Sequence, residues 1–231
     1  MVYLKTRSGK AEVMDDLDLP SAEIDPVLAG LAKMNRWFGA HKTVIKTLQK
    51  FPDLAYNHVS DWGCGGGDML VALRKWSDRH HLSLYLTGVD AAKSAVRYAK
   101  RHSLGCRINY IQASVLSDDL HARQFDIVTS GLFSHHFADR EWVLLIRKMY
   151  TCSRRGVILT DLHRHWLLYY AVTAITRLIT KNKMARVDGP LSVKRSFKRK
   201  EIVSLLKAAQ IDNYNLTWVW PFRWLLIIRK H

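Results

Sequence analysis

Asp61-Trp62-Gly63-Cys64-Gly65-Gly66-Gly67-Asp68 is the stretch on which the reading of this chain turns. It follows the short run His58-Val59-Ser60 and leads into Met69-Leu70-Val71-Ala72-Leu73, so it reads as the turn between a strand and a helix. Glycines there let the backbone take positive φ and come close to a ligand, and the N–H groups opening the helix favour electron-rich ligand atoms. The dinucleotide fingerprint G-x-G-x-x-G does not fit. Counted from Gly63 it needs glycine where the chain has Asp68, and counted from Gly65 it needs one where the chain has Leu70. The spacing G-x-G-x-G does fit Gly63, Gly65 and Gly67, and Asp61, two residues earlier, adds an acceptor for a cationic amine.

Outward from that turn the chain alternates short strands with helices. DMLVALRKWSDR reads as a helix, LSLYLTGVD as a strand, AAKSAVRYAKRHS as a helix and INYIQAS as a strand. QFDIVTSGLF, REWVLLIRKMYTCS and RRGVILTDL continue as strand, helix and strand. This rhythm predicts a parallel sheet with helices on both faces. After the helix KRKEIVSLLKAAQ it breaks: YNLTWVW and RWLLIIRK are strand-like runs separated only by Pro221 and Phe222, a connection too short for anything but antiparallel neighbours.

Residues 1–52 precede this core as a helical segment and cap, and residues 53–231 form the main domain. The first 20 or so residues mix charges without period and are expected to hang loose or drape over the body. From Ser21, Ile24, Val27, Leu28, Leu31 and Met34 recur at helical spacing with Pro26 in the first turn, and a second helix is expected over His41 to Phe51. Between the fifth strand and the last helix lies an excess of about 35 residues, placed at about 162–196, which a minimal crossover does not need. An insertion at the carboxyl end of a parallel strand overlies the ligand crevice, so it is expected to be a lid, one apolar helix followed by a turn at Asp188-Gly189-Pro190-Leu191-Ser192.

Composition narrows the class. With 48% hydrophobic and 24% charged residues the chain can bury a core, which excludes full disorder. The three cysteines, Cys64, Cys106 and Cys152, have no C-x-x-C spacing and suit a reducing cytoplasm better than a disulfide framework. The amino-terminal stretch lacks the pattern of a signal peptide and no apolar run reaches the ~20 residues that span a bilayer, so a cytoplasmic location is expected, while the basic runs and the apolar lid allow a peripheral membrane contact. The formal charge of +16 points to an anionic partner, whether phosphate, nucleic acid or lipid, without choosing among them.

D-x-G-C-G-x-G at the end of a first strand, with Gly88-Val89-Asp90 ending the second, resembles the class I S-adenosylmethionine-dependent methyltransferases. The resemblance covers roughly residues 25 to 231. It implies an α/β, Rossmann-like, seven-stranded, mostly parallel sheet with helices on both faces and an antiparallel carboxyl-terminal hairpin, and S-adenosylmethionine as cofactor. It further implies that Asp61 lies near the methionyl end and that Gly63, Gly65 and Gly67 clear space. Asp90, followed by Ala91, would hold the ribose hydroxyls, a role compatible with capping the next helix. Ser114 after the third strand would meet the adenine, Ser130 in the loop after the fourth would pass the methionine portion, and Arg36 would close over the carboxylate.

Methyl transfer to a hydroxyl needs alignment, exclusion of water and a base. His135 and His136, in Leu132-Phe133-Ser134-His135-His136-Phe137, read either as base or substrate partner, or as a helix cap and a packed side chain. Asp161 and His163 after the fifth strand form a second cluster, in which the acid either orients a histidine or caps the lid helix. Phe133, Asp161, Trp166 and Tyr170 are the expected substrate contacts. His163 and His165 have no further ligand at metal spacing, so no metal is expected. The apolar lid favours a hydrophobic substrate, and the whole arrangement resembles small-molecule methyltransferases of the ubiquinone and menaquinone biosynthesis type. It is also similar to bacterial relatives that accompany polyketide synthases and flavin monooxygenases. That implies methylation, on oxygen before carbon, of an aromatic, phenolic or polyketide- or quinone-like molecule. The alternative is an RNA methyltransferase or a basic nucleic-acid-binding module, suggested by runs such as Lys194-Arg195-Ser196-Phe197-Lys198-Arg199-Lys200, but no N/D-P-P-Y/F tetrapeptide follows the fourth strand.

Overall fold

In the computed structural model, which describes residues 2–120 and 124–230, the apolar runs become seven strands of one sheet. They are β1 (His58–Trp62), β2 (Tyr85–Asp90), β3 (Ile108–Gln112), β4 (Phe125–Gly131), β5 (Ser153–Leu162), β6 (Tyr214–Val219) and β7 (Arg223–Arg229). The spatial order is β3-β2-β1-β4-β5-β7-β6. The first five are parallel; β7 runs antiparallel to both β5 and β6. This is the mixed α/β sheet with a terminal hairpin that the strand pattern predicts. The order reverses between β1 and β4, so the carboxyl ends of those two strands open the crevice of the sheet.

Helices α1 (Ser21–Trp37) and α2 (Ala40–Leu48) precede the sheet; α3 (Asp68–Arg79), α4 (Lys93–His102) and α5 (Asp139–Cys152) connect its strands, and α8 (Arg199–Ala208) precedes the hairpin. Both faces are buried by period-two alternation. Val128, Val157 and Leu226 join the core under α5 and α8 with Trp62, Trp142 and Phe197, while their neighbours Ile127, Ile158 and Leu225 join the opposite core with Leu48 and Leu70. α2 stops at Leu48, short of the expected Phe51, and Phe51 turns into the second core.

The insertion differs from its expected form. It is a pair of helices, α6 (Trp166–Ile179) and α7 (Lys183–Arg195), and Asp188 to Ser192 lies inside α7. A Cβ on Gly189 would come within 3.1 Å of Val172 and Thr176, so glycine lets α7 press against α6. Asp188 is buried and accepts from the backbone N–H groups of Val13 (2.9 Å) and Met14 (3.1 Å). Tertiary contacts thus hold in a helix a segment whose residues favour a turn. Those contacts come from the amino-terminal residues, which drape over the insertion in a fixed path. Arg7 donates to Asp139 (2.6 Å) and to the carbonyls of Arg195, His135 and Phe137.

Arg164 joins these layers. Its guanidinium is fully buried and donates to both Glu201 oxygens (2.5 and 3.0 Å), to the Ser196 carbonyl (2.6 Å) and to the Leu4 carbonyl (3.2 Å). Removing the buried guanidinium leaves the Ser196 and Leu4 carbonyls without their donor and Glu201 without its partner. Arg164→Ala is expected to cost about 3–5 kcal/mol in urea unfolding; a loss under about 1 kcal/mol would assign the pair no structural role.

Candidate functional site

The glycine turn follows β1 and opens α3 at the switch point. The N–H groups of Gly63 and Cys64 both donate to the Val89 carbonyl (2.8 and 3.1 Å), folding the turn against the end of β2. Gly63 and Gly67 have φ of +70° and +74°, in the left-handed region. A Cβ at Gly63 would fall 2.2 Å from the Phe133 ring, and one at Gly67 would fall 2.4 Å from the Tyr110 hydroxyl. Phe133 therefore rests on the turn itself. Leu28 of α1 lies over Gly65, at 3.6 Å from where its Cβ would be.

Three carboxylates gather around this turn. Asp90, at the end of β2, accepts from Gly65 N–H (2.8 Å) with one oxygen and from Ala92 N–H (2.9 Å) with the other, which pins the turn and the start of α4 together. Each oxygen keeps a second lone pair for a ligand hydroxyl. Burial raises the Asp90 carboxyl against the lowering effect of these two N–H groups. Asp68, the first residue of α3, is bonded by His41 (2.6 Å) and Asn35 (3.0 Å). Burial alone would raise it, and these two partners more than reverse that. Asp61 is buried and accepts from Thr129 (2.8 Å). Burial pushes it up to about 7; the Thr129 hydroxyl opposes the rise, and Asp68 and Asp90 add to it. A buried acid whose neighbouring charges are acids is completed by a cationic ligand. The residues thus fit a ligand that carries hydroxyl groups at Asp90 and a positive charge at Asp61.

A cavity of about 40 Å³ remains among Asp61, Gly63, Asp68, Leu132, Thr160 and His41. It is smaller than a nucleoside, so admitting one requires neighbouring side chains to move. A larger cavity of about 610 Å³ is lined by His58, Tyr85 and Thr87. It opens at the amino ends of β1 and β2, away from the glycine turn.

Beyond Phe133 lies a second polar group. Asp161, at the carboxyl end of β5, accepts from the Ser134 hydroxyl (2.6 Å) and the His135 N–H (2.8 Å) with one oxygen, and pairs with His135 Nδ1 (2.7 Å) through the other. Burial would raise Asp161, and His135 and Ser134 hold it below the usual carboxylate range. His136 Nδ1 pairs with Asp15 at 2.5 Å, and Asp15 also accepts from Arg195 at 2.5 Å. Burial would raise Asp15, and these bonds hold it far below its ordinary value. Glu12 accepts from Ser192 (2.8 Å) and places its other oxygen 3.7 Å from both His135 Nε2 and Arg195 Nε. Burial raises Glu12 to about 7, against the lowering effect of His136, Ser192 and Arg195. The ligand atoms of Glu12, His135 and His136 lie within 4.8 Å of one another, and the cation beside them is Arg195.

The structure thus brings Asp61, Gly63, Gly65, Gly67, Asp90 and Phe133 to one turn, and His135, His136 and Asp161 to the polar group next to it. The two histidines differ. His135 is 3% exposed, whereas the His136 ring is half-buried and lies 6.0 Å from the Phe133 ring. Of the remaining expected residues, only Ala91 adjoins the turn. Ser130 turns into the sheet and donates to the Trp62 carbonyl (2.8 Å). Ser114 is exposed and caps its own turn through Leu116 N–H, Ala91 is half-buried beside Asp90, and Arg36 is exposed while its neighbour Asn35 bonds Asp68. His163 packs on Trp224 (4.9 Å) and His165 (5.4 Å), and burial, with His165, Lys198 and Arg164, lowers it to about 4. It is a neutral ring in an aromatic group. Trp166 and Tyr170, on α6, are largely exposed. Glu12, Asp15, Asn35, His41 and Arg195 carry no local motif. Only their polarity, and for Glu12 and Asp15 a place in an unpatterned stretch, marks them in the sequence.

Residues 59–156 match the model of a methyltransferase domain. No curated protein sequence matches the chain. Among solved structures, the plantazolicin methyltransferase BpumL in complex with SAH is 16% identical with a TM-score of 0.66, over 89% of this chain and 90% of that one. A SAM-dependent methyltransferase from Aquifex aeolicus is 15% identical with a TM-score of 0.65, over 92% and 99%. The magnesium protoporphyrin IX methyltransferase ChlM from Synechocystis PCC 6803, with bound SAM, is 14% identical with a TM-score of 0.56, over 84% and 79%. Residues 59–156 thus match a methyltransferase domain, and they lie on a sheet whose strand order is that of the α/β methyltransferase fold.

Proposed function

We propose that this protein transfers the methyl group of S-adenosylmethionine to the hydroxyl oxygen of a hydrophobic aromatic molecule, of phenolic, polyketide-like or quinone-like type. The observation that carries the reading is the contact between the two halves of the site: Phe133 touches the glycine turn and lies beside His136, whose Nδ1 is held by Asp15. When bound, the cofactor supplies an electrophilic methyl on a sulfonium. Asp90 receives hydroxyls, Asp61 a positive charge, and Gly63 and Gly67 give close backbone approach. His136, with its Nδ1 proton directed to Asp15, keeps Nε2 as the acceptor for the substrate's hydroxyl proton. His135 and Asp161, buried together, set the position of the loop that carries it. The amino-terminal residues seal this end from water, which an in-line displacement requires.

Incubation with S-adenosylmethionine and a panel of phenols with and without alkyl tails tests the reading. Mass spectrometry should show products heavier by one methylene unit, with kcat/KM rising with tail length. Turnover confined to RNA, or to tailless polar acceptors, would overturn the substrate class.

The Asp61 environment adds a pH dependence. Its carboxyl is neutral below pH 7 and ionised above it, so its attraction for the ligand's ammonium is present at high pH and lost as pH falls through about 7. S-adenosylhomocysteine affinity in calorimetry should fall by up to roughly tenfold per pH unit below that value, and Asp61→Asn should flatten the profile. A flat wild-type profile would count against the assignment of the ammonium to Asp61.

A further inference from the structure

We infer that the rim of the crevice is a docking surface for an anionic lipid bilayer, through which the hydrophobic acceptor enters; the inference rests on the proposed substrate class. Its first support is an apolar stripe on the wrong side of a helix. Leu167, Ala171, Ala174 and Leu178 of α6 recur at helical spacing and are all exposed, Leu178 by 85%. A helix packed on a globular body turns such a stripe inward. Here α7 already covers the other face of α6, at Val172 and Thr176.

The stripe continues into an aromatic tip. His165, just before α6, stacks on Phe222 (4.9 Å), and Phe222 meets Trp218 (5.8 Å) and Trp220 (5.9 Å) in the turn between β6 and β7. Trp220, 72% exposed, then shares a groove with Trp37, 60% exposed, and Phe38 from the end of α1. Because β7 is antiparallel, with Arg223 paired to Leu162 at the end of β5, this tip lies at the carboxyl end of the parallel strands, where the crevice opens. Exposed tryptophans with an apolar body and a polar N–H suit a water–lipid interface.

Charge selects the partner. Residues 26–52 hold five lysines and arginines and no carboxylate, and residues 163–200 hold ten against the single acid Asp188, which is buried. Lys42 and Lys46 line the groove with Trp37 and Trp220, and Arg177, Lys181, Lys183 and Arg186 are exposed around the far end of α6. The acids of the amino-terminal part lie in the preceding residues, from Glu12 to Asp25. Interleaved aromatic and basic side chains on one rim fit a surface that is both apolar and anionic, as a bilayer with acidic headgroups is. No helix among the described residues is long and apolar enough to cross a membrane, so the contact is peripheral.

Co-sedimentation of the full chain with sucrose-loaded vesicles tests this. With phosphatidylcholine containing about one-third phosphatidylglycerol, the protein should pellet at low salt, and less so with pure phosphatidylcholine or at high salt. Lys42→Ala and Lys46→Ala should each weaken binding roughly fivefold, and Trp37→Ser with Trp220→Ser should weaken it on every vesicle. All variants should keep wild-type S-adenosylhomocysteine affinity and turnover of a water-soluble phenol, which separates failure of docking from failure of the methyl-transfer reading. Recovery in the supernatant with every vesicle overturns the inference. So does concentration-dependent dimerisation that the tryptophan substitutions abolish, or binding to RNA in place of vesicles.

Discussion

His136→Ala is expected to lower turnover by about 10²–10⁴-fold, the range a positioned general base supplies, while leaving S-adenosylhomocysteine affinity within about twofold of wild type. The ring lies outside the glycine turn but next to Phe133, so its removal takes away the proton acceptor and spares the cofactor contacts. Added imidazole should restore part of the rate, a readout that a merely structural role would not move. His135→Ala should behave differently. His135 is buried against Asp161, and deleting the ring leaves that carboxylate without its main partner. It should cost about 3–5 kcal/mol of stability before any effect on chemistry is seen. Unchanged turnover in His136→Ala, with the fold intact, would remove it from the reaction.

Gly63→Ala should abolish cofactor binding in calorimetry, with a loss of at least about 100-fold. Two effects act together. At φ of +70° an L-residue costs roughly 1–2 kcal/mol, which is felt in the folded protein alone. The added methyl also enters the space 2.2 Å from the Phe133 ring, so the ring must move whether or not ligand is present. Phe133→Ala in the same chain separates the two, because it removes the clash and leaves the backbone strain. The double variant should regain stability but not affinity, since the methyl still blocks close approach to the turn. Wild-type affinity in Gly63→Ala would show that the ligand does not use this loop.

Much of the fold was legible because it is written in short-range pattern. A strand in the middle of a parallel sheet is apolar on both faces, and Val59, Ile127, Val128, Val157 and Ile158 show that in their own runs. The glycine turn is legible for the same reason, since left-handed φ at Gly63 and Gly67 is a property of the residues themselves. The insertion was legible only as surplus length. Asp-Gly-Pro at 188–190 favours a turn in isolation, and becomes helix because Gly189 fits under α6 and the Asp188 carboxylate is taken up by Val13 and Met14. The histidines show both sides of this. Adjacent in sequence, His135 and His136 were open to either a structural or a chemical reading, and only their folded surroundings set them apart: Asp161 bonds the buried ring, and Asp15 bonds the half-buried one.

The alternation of strand and helix, the antiparallel ending, the glycine turn and the acids at or near the ends of β1 and β2 could all be read along the chain, because each depends on residues within a few positions of one another. The packing of residues 2–20 against the histidine loop is visible in the folded chain alone. Glu12 and Asp15 meet His135, His136 and Arg195 across more than 100 residues of chain, and nothing local to an unpatterned charged stretch encodes a partner so distant. What fixes them is burial: each charge taken out of water must find a counter-charge or a hydrogen bond, and the folded chain brings those partners to them here.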